Sequence, residues 1–148
     1  KPGPVQATYA QIASIHPFRN TLTAFDLSGA QLRRLLESQW QVDGNHNSLQ
    51  VSAGLSYEWD AARPQGQRVV AGSLKFEGQP VRDAATYRVV TSNFLAEGGD
   101  GFSLFKEGVN RYESDQTDLQ ALERYLVMQD KAGTPAGSVE PQARINKR

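Results

Sequence analysis

The alternation of helical and extended patterns along these 148 residues predicts an α+β fold, a single compact domain in which a mixed sheet is flanked by helices. Two observations carry that expectation. Apolar residues recur at helical spacing in three separated segments, at residues 8–15, 29–40 and 118–128. Between them lie short β-rich runs punctuated by Gly, Pro and Asn, with no internal repeat or low-complexity segment.

Each element has a local reason. The helix over 8–15 is ended by Pro17, because a proline disfavours helical geometry at the residue before it. Residues 21–27 then alternate as a strand. Ser28 is a suitable N-cap for the helix over 29–40, in which Leu32, Leu35, Leu36 and Trp40 form one core-facing stripe. The polar run Asp43-Gly44-Asn45-His46-Asn47-Ser48 reads as a loop leading into two short strands, 49–51 and 55–59. The turn Arg63-Pro64-Gln65-Gly66 joins the second of these to an extended run over 68–76, and Glu77-Gly78-Gln79-Pro80 closes a hairpin-like turn. Residues 87–91 form a β-rich run that delivers the chain to Phe94, so the Phe94 motif is expected to be a loop at a strand end. The helix over 118–128 places Leu119, Leu122, Leu126 and Val127 at helical spacing, with Asp115, Thr117 and Asp118 as start signals. Gly133-Thr134-Pro135-Ala136-Gly137 breaks it before a last extended stretch.

Composition removes whole classes of function. A chain of this length buries about 70% of its unfolded surface and needs no covalent staple. With 16 basic and 16 acidic residues and no dense run of either sign, it lacks the basic footprint that polymeric nucleic acid requires. It has no cysteine, hence neither a disulfide framework nor a thiolate zinc site. Its histidines, His16 and His46, are too few for a dinuclear metal centre, and both read as surface or turn residues. No G-x-S-x-G elbow, phosphate loop or complete G-x-G-x-x-G occurs. No apolar stretch has the length of a membrane span. The chain opens Lys1-Pro2-Gly3-Pro4 without Met and without a charged-then-apolar leader, so it is expected to be a fragment, cut or processed from something longer.

Two phenylalanines stand in turn-like motifs rather than apolar runs: Phe18 in His16-Pro17-Phe18-Arg19-Asn20, and Phe94 in Asn93-Phe94-Leu95-Ala96-Glu97-Gly98-Gly99-Asp100-Gly101-Phe102. Aromatics held on turns suit the gripping of a flat ligand by stacking, which a nucleobase satisfies better than a sugar or peptide. The bland reading of Phe18 is a core residue after a proline turn. That of Gly98-Gly99-Asp100-Gly101 is a tight turn, since glycine permits positive φ and Asp tolerates it. A calcium-binding nonapeptide needs tandem copies, and here there is one imperfect copy, so calcium is rejected.

Thr91-Ser92-Asn93-Phe94-Leu95-Ala96-Glu97-Gly98-Gly99-Asp100-Gly101-Phe102 resembles the T-x-N-F-L-A-x-G-G-D-G-[FY] segment of the 5'-nucleotidase family of metallophosphatases. Pro17-Phe18-Arg19-Asn20 is similar to its P-F-G-N turn, Leu27-Ser28-Gly29-Ala30-Gln31-Leu32 to its L-x-G-x-x-L helix start, and Leu49-Gln50-Val51-Ser52 to its L-Q-V-S/G strand. Val139-Glu140-Pro141-Gln142-Ala143-Arg144-Ile145 is a looser match to its closing G-R-I strand. The resemblance covers nearly the whole chain and only the family's C-terminal, substrate-binding domain, so residues 1–148 are expected to be that domain without the N-terminal metallophosphatase domain.

The resemblance implies that Phe18 and Phe94 clamp the base and that Asp100 accepts hydrogen bonds from the ribose diol. Gly98 and Gly99 let the backbone approach the ligand, Asn93 holds the turn, Asn20 reaches the base edge, and the loop 44–48 borders the base. Phe102 reads as packing. It further implies no cofactor in this domain, two divalent metal ions and a His-Asp pair in the missing N-terminal domain of the same chain, a nucleotide or nucleoside as partner, and a periplasmic or cell-surface location. Two departures stand out. Arg19 replaces the family's usual Gly, and the family's N-G-G-G-x-R segment is not found in residues 1–19. Two alternatives remain open: a related hydrolase of 2',3'-cyclic nucleotides, NAD, UDP-sugars or a sulfur-linked group, and a non-catalytic binding module.

Overall fold

Strand β1 (Thr21–Ser28) organises the molecule, turning Thr23, Phe25 and Leu27 into the core and Leu22, Ala24 and Asp26 to the opposite face. The computed structural model describes residues 6–41, 44–138 and 142–148. After the short helix α1 (Tyr9–Ile15), β1 forms the middle of a three-stranded antiparallel sheet. The other strands among the described residues are β2 (Leu55–Trp59), β3 (Lys75–Phe76), β4 (Gln79–Pro80), β5 (Thr86–Ser92), β6 (Val109–Thr117) and β7 (Ile145–Lys147). The neighbours of β1 are β5 and β6; the second sheet has the order β4-β3-β2-β7 and is mixed, because β7 runs parallel to β2. The helices are completed by α2 (Gly29–Glu37), the single turn α3 (Asn93–Ala96) and α4 (Asp118–Lys131). The expected α+β domain with a mixed sheet and flanking helices is what forms.

Local chemistry sets the helix boundaries. Helices α1, α2 and α4 all open with a reciprocal capping box, Thr8 with Gln11, Ser28 with Gln31 and Thr117 with Gln120. The first amides of α2 are also satisfied by the facing turn, Gly29 donating to the Ala85 carbonyl at 3.0 Å and Ala30 to Asp83 at 3.1 Å. Helix α4 ends in a Schellman motif: Gly133 takes φ 71°, its amide bonds the Asp130 carbonyl, and the Thr134 amide bonds that of Gln129. In the β3–β4 hairpin both central residues, Glu77 and Gly78, have positive φ, as a type I′ turn demands. Leu32, Leu35 and Leu36 of α2 pack with Phe25, Leu27, Tyr57, Leu74, Phe102 and Phe105 in one core.

Four expectations are corrected. The α2 helix stops at Glu37 rather than at residue 40, because the Glu37 carboxylate accepts the Arg68 and Val69 amides at 3.0 and 2.6 Å, and the chain then turns to put Trp40 in an isolated bridge with His46. Residues 49–51 form no strand. Their backbone is held by side chains instead: the Leu49 amide donates to Gln39 Oε1 at 2.7 Å and the Val51 carbonyl accepts from Arg144 at 2.9 Å. The run 68–76 is broken by a turn at residues 71–73, leaving one bridge at Val69 and the short β3. Phe94 lies on α3, not on a loop, since Ser92 caps a helical turn through the Leu95 amide. Sequence reasoning also missed β6, whose Val-Asn-Arg-Tyr-Glu-Ser-Asp-Gln-Thr sequence is polar and mostly exposed. Asp43 of the expected loop and Val139, Glu140 and Pro141 of the tail motif lie outside the described residues.

Candidate functional site

The turn that carries Phe18 is built by its neighbours. Helix α1 ends at Ile15, and the Asn20 carbonyl then accepts the Asp118 amide at 2.8 Å, so one of the open donors of α4 fixes the turn from below. Arg19 takes φ 52°, the left-handed region that costs a non-glycine residue about 1–2 kcal/mol. The backbone shape suited to a glycine is therefore kept although the residue is arginine. Phe18 is 83% exposed and Asn20 half-buried.

The second motif is a stack of small turns. Ser92 caps α3, the Glu97 amide bonds the Asn93 carbonyl at 3.0 Å, and the Gly98 amide bonds that of Leu95 at 2.8 Å. Ala96 is fully buried, and its carbonyl and the Glu97 carboxylate are held by Arg111 of β6, the latter at 2.7 Å. Gly98 takes φ 86°. At Gly99 a Cβ would stand 2.6 Å from the Phe94 ring, so here the missing side chain makes room for that ring. Asp100 is left-handed at φ 54°; Gln41 and Asn47 donate their side-chain amides to its carbonyl at 3.0 and 3.2 Å. Its carboxylate is exposed and bonds no described residue. Asn93 and Phe94 are exposed, Phe94 at 49%, while Phe102 is core.

Strand register brings the two motifs to one end of the sheet. Leu22 faces Ser92 and Thr21 faces Thr117, so the start of β1 lies beside the ends of β5 and β6. Phe18 stands four residues before Leu22 and Phe94 two residues after Ser92. Sequence reasoning did not find the supports, Gln41, Asn47 and Arg111; only Asn47, in the loop 44–48, carried a signal. His16 lies 3.7 Å from the Asp118 carboxylate, and His46 stacks on Trp40. Among the described residues no three His, Asp or Glu side chains gather as metal ligands, and no helix is long and apolar enough to cross a membrane.

Residues 1–107 match the family model of the 5'-nucleotidase C-terminal domain. The chain belongs to that family. It is 34% identical over 129 residues to an apyrase from Tabanus yao, covering 80% of this chain and 23% of that protein. It is 32% identical over 123 residues to a 5'-nucleotidase from Diplobatis ommata, covering 78% and 21%. Among solved structures it resembles a 5'-nucleotidase precursor from Thermus thermophilus, with a TM-score of 0.73 and 34% identity over 95% of this chain and 28% of that one. The chain thus spans about a quarter of the length of these relatives.

Proposed function

We propose that this chain is the nucleoside-recognition domain of a 5'-nucleotidase-type hydrolase, separate from the domain that performs the chemistry. The observation that carries the reading is the pair of exposed phenylalanines at one end of the sheet, beside a carboxylate that the described protein leaves unengaged. Phe18 and Phe94 stack on the base, Asp100 accepts from the ribose hydroxyls, Gly99 leaves room for the Phe94 ring, and Gly98 with its positive φ turns the backbone toward the ligand. Asn93 and Asn20 shape the turns that present the two rings. A separate domain of the whole enzyme would hold two divalent metals, which would supply activated water for attack on phosphorus. This domain holds the nucleoside so that the phosphate meets that water in a fixed orientation. The family membership supports this reading, as does a sequence too poor in His for a dimetal site; export to the periplasm or cell surface follows from the resemblance.

Stacking contributes about 1–3 kcal/mol per base, offset by association entropy, so the chain alone should bind adenosine at about 1 mM. Titration of adenosine followed by phenylalanine NMR resonances tests this. Saturable shifts at Phe18 and Phe94, lost in Phe18→Ala and Phe94→Ala, are expected, with no phosphate release from AMP in the presence of manganese, zinc or cobalt. Absence of shifts up to tens of millimolar adenosine sinks the slot; metal-dependent phosphate release sinks the division of labour.

A further inference from the structure

One cavity is lined by neither of the exposed phenylalanines. It measures about 590 Å³, within the range of small-molecule sites, and is walled by Trp40, His46, Tyr57, Trp59, Arg144 and Ile145 among others. None of its lining residues among those described is acidic. Three cations stand at it: Arg144 in the wall, the Arg68 guanidinium 5.7 Å from the Trp40 ring centre, and the Lys147 ammonium 5.4 Å from that of Trp59. Glu37 and Glu58, on the flanking elements, are already engaged, the first by the Arg68 and Val69 amides and the second by Arg148 at 2.6 Å.

Two buried polar atoms of this wall, Trp40 Nε1 and Arg144 Nε, have no hydrogen-bond partner among the described residues. Trp40 is 5% exposed. Both atoms are N–H groups that only donate, and an unsatisfied buried donor is costly enough that native structures seldom keep one. What the cavity lacks is an acceptor, and the Arg144 guanidinium pairs best with one that is negative.

We propose that this cavity is a second ligand site for a small organic carboxylate with a flat apolar body. The carboxylate accepts from Trp40 and Arg144, while the body lies against Trp59, Val51 and Ile145. Inorganic phosphate offers the oxygens but leaves the apolar wall bare. The orphaned atoms lie beneath the surface, so the anion reaches them as the exposed loop 44–48 yields, the loop whose His46 ring covers Trp40 at 5.4 Å.

The chain has two tryptophans, and both line this cavity. Indole N–H resonances and tryptophan fluorescence therefore report on this cavity, and phenylalanine resonances on the nucleoside slot, so either idea can fail without the other. Benzoate, its neutral isostere benzamide and inorganic phosphate are titrated into the whole chain. A saturable benzoate shift of the Trp40 indole N–H is expected, with benzamide and phosphate at least about tenfold weaker, as loss of a hydrogen bond to a charged group predicts. Trp40→Phe keeps a ring and removes the N–H; it should weaken benzoate by a similar factor, read through Trp59 fluorescence. No saturable benzoate shift up to tens of millimolar, benzamide binding equal to benzoate, or unchanged affinity in Trp40→Phe overturns the proposal.

Discussion

The six phenylalanines divide into two populations of the same side chain. Phe25, Phe102 and Phe105 are buried and meet edge to face, with ring centres 5.8 and 6.1 Å apart, and a guanidinium from Arg111 lies 5.5 Å from the Phe25 ring centre. Phe18 and Phe94 stand in solvent at one end of the same sheet, and Phe76 is partly exposed against Tyr87. A buried ring is held by the fold and stabilises it. An exposed ring on a capped, strained turn contributes little to folding, and its apolar face is free for a ligand. The contrast separates what the sheet needs from what its end can do.

The sharpest break between the populations is energetic. Phe25→Ala should destabilise the domain by about 3–5 kcal/mol, the cost of emptying a core aromatic site. Phe18→Ala should stay within about 0.5 kcal/mol of the parent, as surface changes do, while abolishing adenosine shifts. Urea denaturation of both variants measures this. A Phe18 variant as unstable as the Phe25 variant would return Phe18 to the core and erase the distinction.

Next in size is the carboxylate beside the exposed pair. In the whole enzyme, Asp100→Asn should cost about 1.5–3 kcal/mol in kcat/KM with ribonucleotides, the value of a charge-assisted hydrogen bond, and less with a 2',3'-dideoxy substrate. Equal losses with both substrates would show that Asp100 does not meet the diol.

Two glycines then sharpen the comparison, because each seats one kind of ring. A Cβ at Gly108 would run into Phe25, and one at Gly99 would stand 2.6 Å from Phe94. Gly108→Ala and Gly99→Ala should each cost about 1–3 kcal/mol of stability by overpacking. Only Gly99→Ala should also weaken adenosine binding, measured by the same NMR titration. Equal adenosine affinity in the two variants would mean that the seat of Phe94 has no bearing on the ligand.

Much of this was legible in the sequence, for reasons that can be named. Capping chemistry marked the helix starts at Ser28 and Thr117, apolar spacing marked α1, and alternation marked β1, because those signals are local. The errors arose where distant side chains decide. Gln39, 1% exposed, bonds the Leu36 carbonyl, the Tyr57 hydroxyl and the Leu49 amide, so residues 49–51 are tied to α2 and β2 rather than to a partner strand. Strand β6 carries no apolar alternation; it pairs with β1 through backbone and a bulge at Asn110, φ 52°. At the site, the motif residues could be read as a list and the loop 44–48 pointed to Asn47, but Gln41, beside that loop, and Arg111, on β6, gave no local pattern.

The smallest expected effect contrasts two aspartates. Asp100 bonds no described residue through its carboxylate, whereas Asp26 accepts from Asn110 at 2.8 Å and Arg88 at 2.9 Å on the open face of β1. The Asn110 hydrogen bond above all, then that of Arg88, holds the Asp26 carboxyl below its ordinary value. A carboxyl depressed in the folded state stabilises above its unfolded pKa of about 3.9, and that stability is lost as pH falls through the lower folded value, because the unfolded chain then binds the proton first. The urea midpoint should therefore fall between pH 7 and about pH 3 by a small margin less in Asp26→Asn than in the parent, with Asn110→Ala between them. The margin is small because the pair is open to water and screened by salt. If all three proteins lose the same midpoint on acidification, the Asp26 cluster is a surface contact without linkage to folding, and the bulge at Asn110 is shaped by backbone alone.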